Sequence, residues 1–253
     1  MTPSLLEELC SYAESKPPLS VNLVFVGQGF TAVRLATGDV GLALSPLTRF
    51  DTCIGANRLA GSFTRYNSRE LVRFLNPLQP AHLRSIGLAA VNAVLQKELR
   101  DRTDFLEGDF LKFLSIKPNE NVAMIDYYTP KIEFLKGSNL TVFDNRFAGK
   151  RRDISILPMS EVPRRFPSAD VVIVPPTFME KLEDFRRYAS NARHFAVVHP
   201  TTPPLPELFF KRGVTVVASM MILDAESTLR HVMEGAGTTL FKTFCKKIVF
   251  LKN

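Results

Sequence analysis

Residues 195–198, Phe-Ala-Val-Val, form a short strand-like segment with no polar side chain on either face. A strand that is apolar on both faces belongs inside a parallel sheet that helices cover. Segments 171–174 and 214–218 have nearly the same character. A chain with several such strands must bury a large core, and 253 residues with 45% hydrophobic content are sufficient for one.

The second half of the chain alternates apolar strands with helical segments, a pattern typical of a mostly parallel α/β sheet. It predicts a Rossmann-like domain over residues 117–253. The predicted strands are 121–126, 140–143, 153–156, 171–174, 195–198 and 214–218, and the predicted helices are 178–190 and 225–234.

The first half has a different pattern, which predicts a small α+β domain over residues 1–116. Three predicted strands are separated by Gly27-Gln28-Gly29 and by Thr37-Gly38-Asp39, which are typical turn sequences. The predicted strands are 21–26, 31–36 and 40–44, and the predicted helices are 4–15, 67–75 and 80–99.

Charge and cysteine content restrict the function classes. The net charge is +7, and the excess lies in residues 117–253, with 20 basic against 14 acidic side chains. The basic residues are not interleaved with aromatic ones, so small anions are expected partners and nucleic acid is not.

Cys10, Cys53 and Cys245 form no Cys-x-x-Cys pair, and no stretch of 18 apolar residues exists. We expect a cytoplasmic chain without a membrane span, and a homo-oligomer is compatible with this composition.

The loop after the strand 195–198 begins His199-Pro200-Thr201-Thr202 and is rich in proline. Ligands of parallel sheets bind at the carboxyl ends of the strands, where this loop falls. Proline restricts the backbone, so the loop should be stiff. Two interpretations remain open: a binding site, or a well-formed turn between a strand and a helix.

Dinucleotide binding is not expected. Asp144 follows a predicted strand, where an acidic residue can accept hydrogen bonds from ribose hydroxyls, but the loop after the first strand of this half begins with Asp126 and has no Gly-x-Gly-x-x-Gly.

The four histidines, His82, His194, His199 and His231, show no i, i+4 pair, so any metal site must be assembled in space.

The predicted helix 80–99 carries small residues on one face, among them Gly87 and Ala90, so a neighbouring backbone can pack closely there. Asn92 is the polar exception within this apolar stretch. A buried amide needs hydrogen-bond partners, so Asn92 either fixes a loop or points into a ligand cleft.

The sequence resembles the heavy-metal chelation family, in which an enolase N-terminal-like domain precedes a Rossmann-like domain. The resemblance covers about residues 20–245. Six segments carry it: 40–43 (Val-Gly-Leu-Ala), 85–93 (Ser-Ile-Gly-Leu-Ala-Ala-Val-Asn-Ala), 142–144 (Val-Phe-Asp), 169–173 (Ala-Asp-Val-Val-Ile), 199–206 and 235–239. The chain departs from the family pattern at Asp126 and at His199, where the family tends to have glycine, and at Pro175-Pro176-Thr177, which replaces a Thr-Gly-x-Thr turn.

The resemblance implies a cleft between the two domains and a role in handling heavy metals. We expect a small-ligand-binding protein whose cleft binds a divalent transition metal or a metal-bearing anion. Asp126 and His199, at strand ends expected to be neighbours, would be the metal ligands or acid–base groups. The expected ligand-contacting residues are Asn92, Thr177, Thr201 and Thr202. An enzyme acting on a phosphorylated or nucleotide-like small molecule is the alternative, and an interaction protein without a ligand is a third.

Overall fold

The computed structural model describes residues 3–46, 58–127, 129–135, 137–146, 149–151 and 154–252. The chain forms two compact units: Met1–Thr103 with Met220–Lys246, and Asp104–Ser219 with Lys247–Asn253. This division differs from the predicted boundary between residues 116 and 117, because the change of unit comes earlier and residues 220–246 return to the first unit. Independent folding of 1–116 and 117–253 stays a prediction.

The first unit contains an antiparallel sheet of three strands. Helix α1 (Leu5–Glu14) begins with a capping box, in which the Ser4 and Glu7 side chains each accept a backbone N–H of the other residue. The strands β1 (Val21–Val26), β2 (Phe30–Leu35) and β3 (Val40–Leu44) pair in chain order. These elements match the predicted helix and the predicted strands closely.

Two helices follow in this unit, α2 (Ser68–Val72) and α3 (Ala81–Asp101). Two glycines, Gly87 of α3 and Gly41 of β3, allow α3 to pack closely against neighbouring backbone. A Cβ added to Gly87 would lie 2.3 Å from the backbone N of Leu75, and one added to Gly41 of β3 would lie 2.1 Å from the carbonyl O of Ala89. The predicted close backbone contact on the Gly87 face of α3 is confirmed.

The second unit is built on a mostly parallel sheet, as the fold class predicted. The strand order is β4-β12-β11-β10-β9-β5-β6-β8-β7. The ladders between β10 and β11, β9 and β10, β5 and β9, β5 and β6, and β6 and β8 are parallel, whereas those of β4 with β12 and β7 with β8 are antiparallel. The strands are β4 (Leu106–Glu107), β5 (Asn121–Ile125), β6 (Asn139–Phe143), β7 (Gly149–Arg151), β8 (Ile154–Leu157), β9 (Val171–Val174), β10 (His194–Val198), β11 (Val216–Ile222) and β12 (Cys245–Leu251).

Short helices connect these strands: α4 (Leu111–Leu114), α5 (Thr129–Ile132), α6 (Val162–Arg165), α7 (Leu182–Tyr188), α8 (Pro206–Phe210) and α9 (Ala225–Met233). Residues such as Val122, Val142 and Ala196 form the buried core of the sheet. The strands β4, β7 and β12 were not predicted: β4 and β7 have only two and three residues, and β12 was missed although it ends in the apolar run Ile248-Val249-Phe250-Leu251.

Residues 220–246 belong to the first unit because their apolar side chains pack there. Met220, Ile222 and Leu229 form one buried cluster with Phe30 and Leu42. Among the described residues, no helix combines the length and hydropathy that a membrane span requires.

Candidate functional site

The strand order of the large sheet reverses between β5 and β9. From β5 the chain adds β6 and β8 on one side, and then returns to add β9, β10 and β11 on the other. The loops that leave two such strands run in opposite directions, and the crevice between them is where open α/β sheets bind ligands. Asp126 directly follows β5, and Pro175-Pro176-Thr177 directly follow β9. The fold thus places two predicted site residues in the loops that flank this crevice.

Asp126 has an unusual backbone and an unusual carboxyl group. Its φ is 64°, in the left-handed region that favours glycine and that asparagine and aspartate tolerate. The side chain is 29% exposed, and its Oδ1 lies 3.5 Å from the guanidinium of Arg146. Burial, opposed by Arg146 and reinforced by the charge of Asp144, raises the pKa of Asp126 to about 6. Asp126 therefore titrates close to neutral pH.

We predict that Asp126→Asn stabilises the fold at pH 7.5 by about 2 kcal/mol. Below about pH 4 the Asp126 carboxyl is protonated in both the folded and the unfolded chain, so folding carries no ionisation penalty. As the pH rises from 4 through 6 the unfolded chain ionises first, and the penalty for folding grows. A shift of two units corresponds to about 3 kcal/mol, which partial exposure reduces. Urea unfolding at pH 4.5 and pH 7.5 measures the effect, with the exposed Asp184→Asn as control. A difference from the parent that is equal at both pH values would contradict the assignment.

Asp144, at the end of β6, is fully engaged by the protein. Its carboxylate accepts hydrogen bonds from the backbone N–H of Tyr127 at 3.0 Å and of Arg146 at 2.8 Å, and from the Arg146 guanidinium at 2.6 Å. Although burial acts in the opposite direction, these bonds hold the pKa of Asp144 below its usual value. The carboxylate positions Arg146, which leaves it poorly suited to accept ribose hydroxyls.

Sequence reasoning did not single out Arg146, although it joins the two carboxylates at this edge. The available signal was its position two residues after Asp144, since a short Asp-x-Arg spacing at a strand end allows a local bidentate pair. With Asp126 ionised, Asp126, Asp144 and Arg146 together carry a net charge of −1. The cluster therefore attracts a cationic centre more than a bare anion.

Thr177 lies in the loop after β9. Pro175 and Pro176 are buried, whereas Thr177 is exposed at the start of the 3-10 helix Pro176–Lys181. The two prolines fix the backbone and the exposed hydroxyl remains accessible, so Thr177 can donate a hydrogen bond to a ligand in the adjacent crevice.

His199 is buried, with 8% exposure, and its ring is held by its own loop. Its Nδ1 lies 3.2 Å from the backbone N of Thr201 and 2.8 Å from the Thr201 hydroxyl. A backbone N–H can only donate, so Nδ1 accepts and the ring proton is on Nε2. Burial lowers the pKa of His199 to about 3, so the ring is neutral.

This tautomer is opposite to the one that metal ligation through Nε2 requires, in which Nδ1–H donates to a carbonyl or carboxylate. The local geometry therefore supports the strand-to-helix turn rather than metal binding by His199.

The rest of this loop is also fixed from within. The backbone N–H of Thr202 donates to the His199 carbonyl at 3.0 Å, and the Ser219 hydroxyl donates to the Thr202 carbonyl at 2.5 Å. Thr201 and Thr202 are both buried. Within the part of the chain that the structure describes, the Thr202 hydroxyl has no hydrogen-bond partner. The Thr201 hydroxyl positions the ring of His199, and the Thr202 hydroxyl remains able to form a hydrogen bond with another group.

Asp126 and His199 do not lie at neighbouring strand ends, contrary to the sequence expectation. The strand β9 runs between β5 and β10. Two interstrand steps separate the backbones by roughly 10 Å. The strand order therefore does not bring the two side chains to adjacent strand ends, and Thr201 holds the His199 ring within its own loop.

Asn92 lies in the first unit, whereas the other predicted site residues lie in the second. Its side-chain Nδ2 donates to the carbonyl of Leu42 at 2.8 Å and ties α3 to β3. Of the two predicted roles, this bond corresponds to fixing neighbouring backbone, here a strand rather than a loop. Its role toward a ligand stays a prediction.

A bare metal ion does not fit the donors that the structure describes. Within the described ranges, no three His, Cys, Asp or Glu side chains converge on one point. Burial raises the thiol pKa of Cys10 and of Cys245 to about 11, so neither offers the thiolate that soft metals prefer.

The fold, with polar residues at the carboxyl ends of its parallel strands, defines a two-domain α/β protein with a mostly parallel sheet. The chain belongs to the family DUF364, described as "Putative heavy-metal chelation", whose model matches residues 109–251. A second model with the same description, DUF4213, matches residues 8–95. These matches support the resemblance found in the sequence.

Three known proteins are similar to this chain. An uncharacterized protein of Methanocaldococcus jannaschii is 28% identical over 187 residues, which cover 71% of each chain. A crystal structure from Pyrococcus horikoshii, of unknown function and from the DUF364 family, has a TM-score of 0.78 at 22% identity and covers 98% of this chain and 100% of that one. A second structure of that description, from Desulfitobacterium hafniense, has a TM-score of 0.73 at 18% identity, with 98% of both chains covered. At these identities the two structures show the fold alone.

Proposed function

We propose that this protein binds a small metal-bearing anion, such as a chelated divalent transition metal, in the crevice between the carboxyl ends of β5 and β9. The observation that carries the proposal is Asp126, a half-buried carboxylate with a pKa of about 6 at the point where the strand order reverses. Its carboxylate would be the direct ligand of the metal.

The donor set favours a complex over a bare ion. Asp126 is one carboxylate, and the guanidinium of Arg146 lies 3.5 Å from it. A bare cation would find a single carboxylate there and would lack most of its ligands. A metal that arrives with a small chelator brings those ligands itself, and the anionic groups of the chelator would be attracted to Arg146. This proposal accords with the chelation description of the family.

The hydroxyls have distinct proposed roles. The Thr177 side chain would donate to the chelator, because it is exposed in the loop after β9, the strand next to that of Asp126. Thr201 would act only through the ring of His199, to which its hydroxyl is bonded at 2.8 Å. The buried Thr202 hydroxyl would contact the ligand only after a shift of its loop, so we rank it below Thr177.

The test compares cobalt and nickel as free ions with the same metals as citrate complexes, by calorimetric titration at pH 7.5. We predict at least about tenfold tighter binding of the complexes, and at least about a tenfold loss in Asp126→Asn. Asp184→Asn, an exposed carboxylate of α7, is the matched control and should bind as the parent does. Affinity should fall as pH drops through 6, because the carboxyl must be ionised to ligate a metal.

Three results would contradict the proposal: equal affinity for free and chelated metal, unchanged affinity in Asp126→Asn, or no binding of either form. Unchanged affinity in the variant would remove Asp126 from the site. Absence of all binding would reject the metal-bearing ligand itself.

An enzyme acting on a phosphorylated or nucleotide-like small molecule is the second candidate. It is favoured by the pKa of Asp126, since a group that titrates near neutrality is suited to general acid–base catalysis. A phosphate brings no metal for Asp126 to ligate, so the net negative charge of Asp126, Asp144 and Arg146 would oppose it more than it opposes a chelated metal. Phosphorylated sugars and nucleotides belong in the same titration, and tight binding that Asp126→Asn does not weaken would favour this candidate.

A further inference from the structure

The second unit contains a cluster of two lysines and one aspartate that the proposed ligand site does not use. The carboxylate of Asp109, which precedes α4, accepts hydrogen bonds from Lys131 of α5 and from Lys247 of β12, the latter at 2.9 Å. Both ammonium groups bind the same carboxylate oxygen, Oδ2. One negative charge is therefore shared between two positive charges.

The two lysines differ strongly in exposure. The side chain of Lys131 is 9% exposed, whereas that of Lys247 is 53% exposed. The ring centroids of Phe110 and Phe134 lie 5.3 Å and 5.9 Å from the Nζ of Lys131. Phe110 is buried and Phe134 is largely exposed, so the Lys131 amine lies among aromatic rings but close to the molecular surface.

A single carboxylate can compensate only one of the two ammonium groups. The surplus positive charge costs least where water solvates it, which is at Lys247. Lys131 is therefore the lysine that loses its proton more easily. Burial lowers the pKa of Lys131 and the charge of Lys247 adds to this shift, although the bond to Asp109 acts in the opposite direction.

We propose that Lys131 is a nucleophilic lysine that forms an imine with a small aldehyde. A lysine that is desolvated and lies beside a second cation has the environment that makes an amine a nucleophile at neutral pH. Lys131 also lies in the connection that leaves the carboxyl end of β5, the edge where open α/β sheets bind ligands. The proposal does not rest on the metal-bearing ligand, because it uses none of that site's residues.

The reaction needs no oxidant or reductant. The neutral Nζ of Lys131 adds to the carbonyl carbon of the aldehyde, and the C–O bond of the resulting carbinolamine then breaks as the C=N bond forms. Both amine hydrogens leave with the carbonyl oxygen as water. Asp109 is hydrogen-bonded to Nζ, so it is placed to carry a proton from the nitrogen to the departing oxygen.

Reductive methylation of the full chain tests the proposal. Limiting formaldehyde with cyanoborohydride at pH 7 forms the imine and reduces it by hydride to a methylated lysine, which peptide mass spectrometry locates. We expect Lys131 to be methylated at least about fivefold faster than Lys181, an exposed lysine of the same unit.

Lys247→Gln separates activation by the second cation from simple accessibility. Without Lys247, Asp109 compensates Lys131 alone, so methylation of Lys131 at pH 7 should fall at least about threefold. The Lys247 side chain is half-exposed, so this change leaves the core intact, which circular dichroism verifies. Lys112→Gln, which removes an exposed lysine of α4, is the matched control and should leave the rate at Lys131 unchanged.

Three results would each overturn the proposal: methylation of Lys131 no faster than that of Lys181, an unchanged rate at Lys131 in Lys247→Gln, or an equal fall in Lys112→Gln. The first of these is measured on the parent protein and needs no variant.

Discussion

Gly41→Ala is expected to destabilise the first unit by about 3 kcal/mol or more. Gly41 lies on β3, where an added Cβ would be 2.1 Å from both the Ala89 carbonyl O and the Ala93 backbone N of α3. These are backbone atoms of a buried 21-residue helix, so the clash can be relieved only by moving the helix or the strand. Urea unfolding at neutral pH measures the loss.

Gly29→Ala is the matched control for Gly41→Ala, because it lies in the hairpin turn of the same sheet and its added Cβ meets nothing within 4 Å. It should change the free energy of unfolding by less than about 1 kcal/mol. Gly87→Ala, which meets the backbone of Leu75, should resemble Gly41→Ala. Similar stability of the Gly41 and Gly29 variants would show that α3 and β3 are not packed as described.

The second large effect is acid destabilisation through His199. The unfolded chain binds a proton at this histidine near pH 6.5, whereas burial keeps the folded ring neutral until about pH 3. The stability contributed by this group is thus complete above pH 6.5 and is lost as pH falls toward 3. Between pH 7.5 and pH 4.5 the loss amounts to about 3 kcal/mol.

His199→Asn isolates this contribution, because the asparagine oxygen can still accept the Thr201 N–H while the side chain no longer titrates. Relative to the parent, the variant should gain about 3 kcal/mol between pH 7.5 and pH 4.5. Comparing the two proteins at each pH cancels the groups that they share, including Asp126, whose contribution has the opposite sign. His82→Asn is the control, and an unchanged difference across this range would show that His199 is charged in the folded state.

Local signals in the sequence were sufficient for most of the secondary structure. Ser4 with Glu7 and Asn67 with Glu70 form the capping boxes that begin α1 and α2. Uninterrupted apolar runs located β9 and β10, because buried parallel strands need no polar face. The boundaries shifted where helices were short: residues 178–181, predicted as α-helix, belong to a 3-10 segment before α7.

The strand-end positions of two candidate site residues were predicted, but the order of their strands was not. Sequence position placed Asp126 and Thr177 at carboxyl strand ends, and the strand order puts both loops beside the crevice. The order also inserted β9 between the strands of Asp126 and His199. The role of Arg146 depended on a bidentate contact with Asp144, which strand periodicity does not report.

The sequence by itself determined the class of fold and the glycine-dependent contact face of α3, because periodicity and side-chain size act over a few residues. Only the tertiary structure decided the strand order, the return of residues 220–246 to the first unit and the tautomer of His199. These features depend on pairing and burial between residues far apart in the chain, whose energies no local pattern encodes.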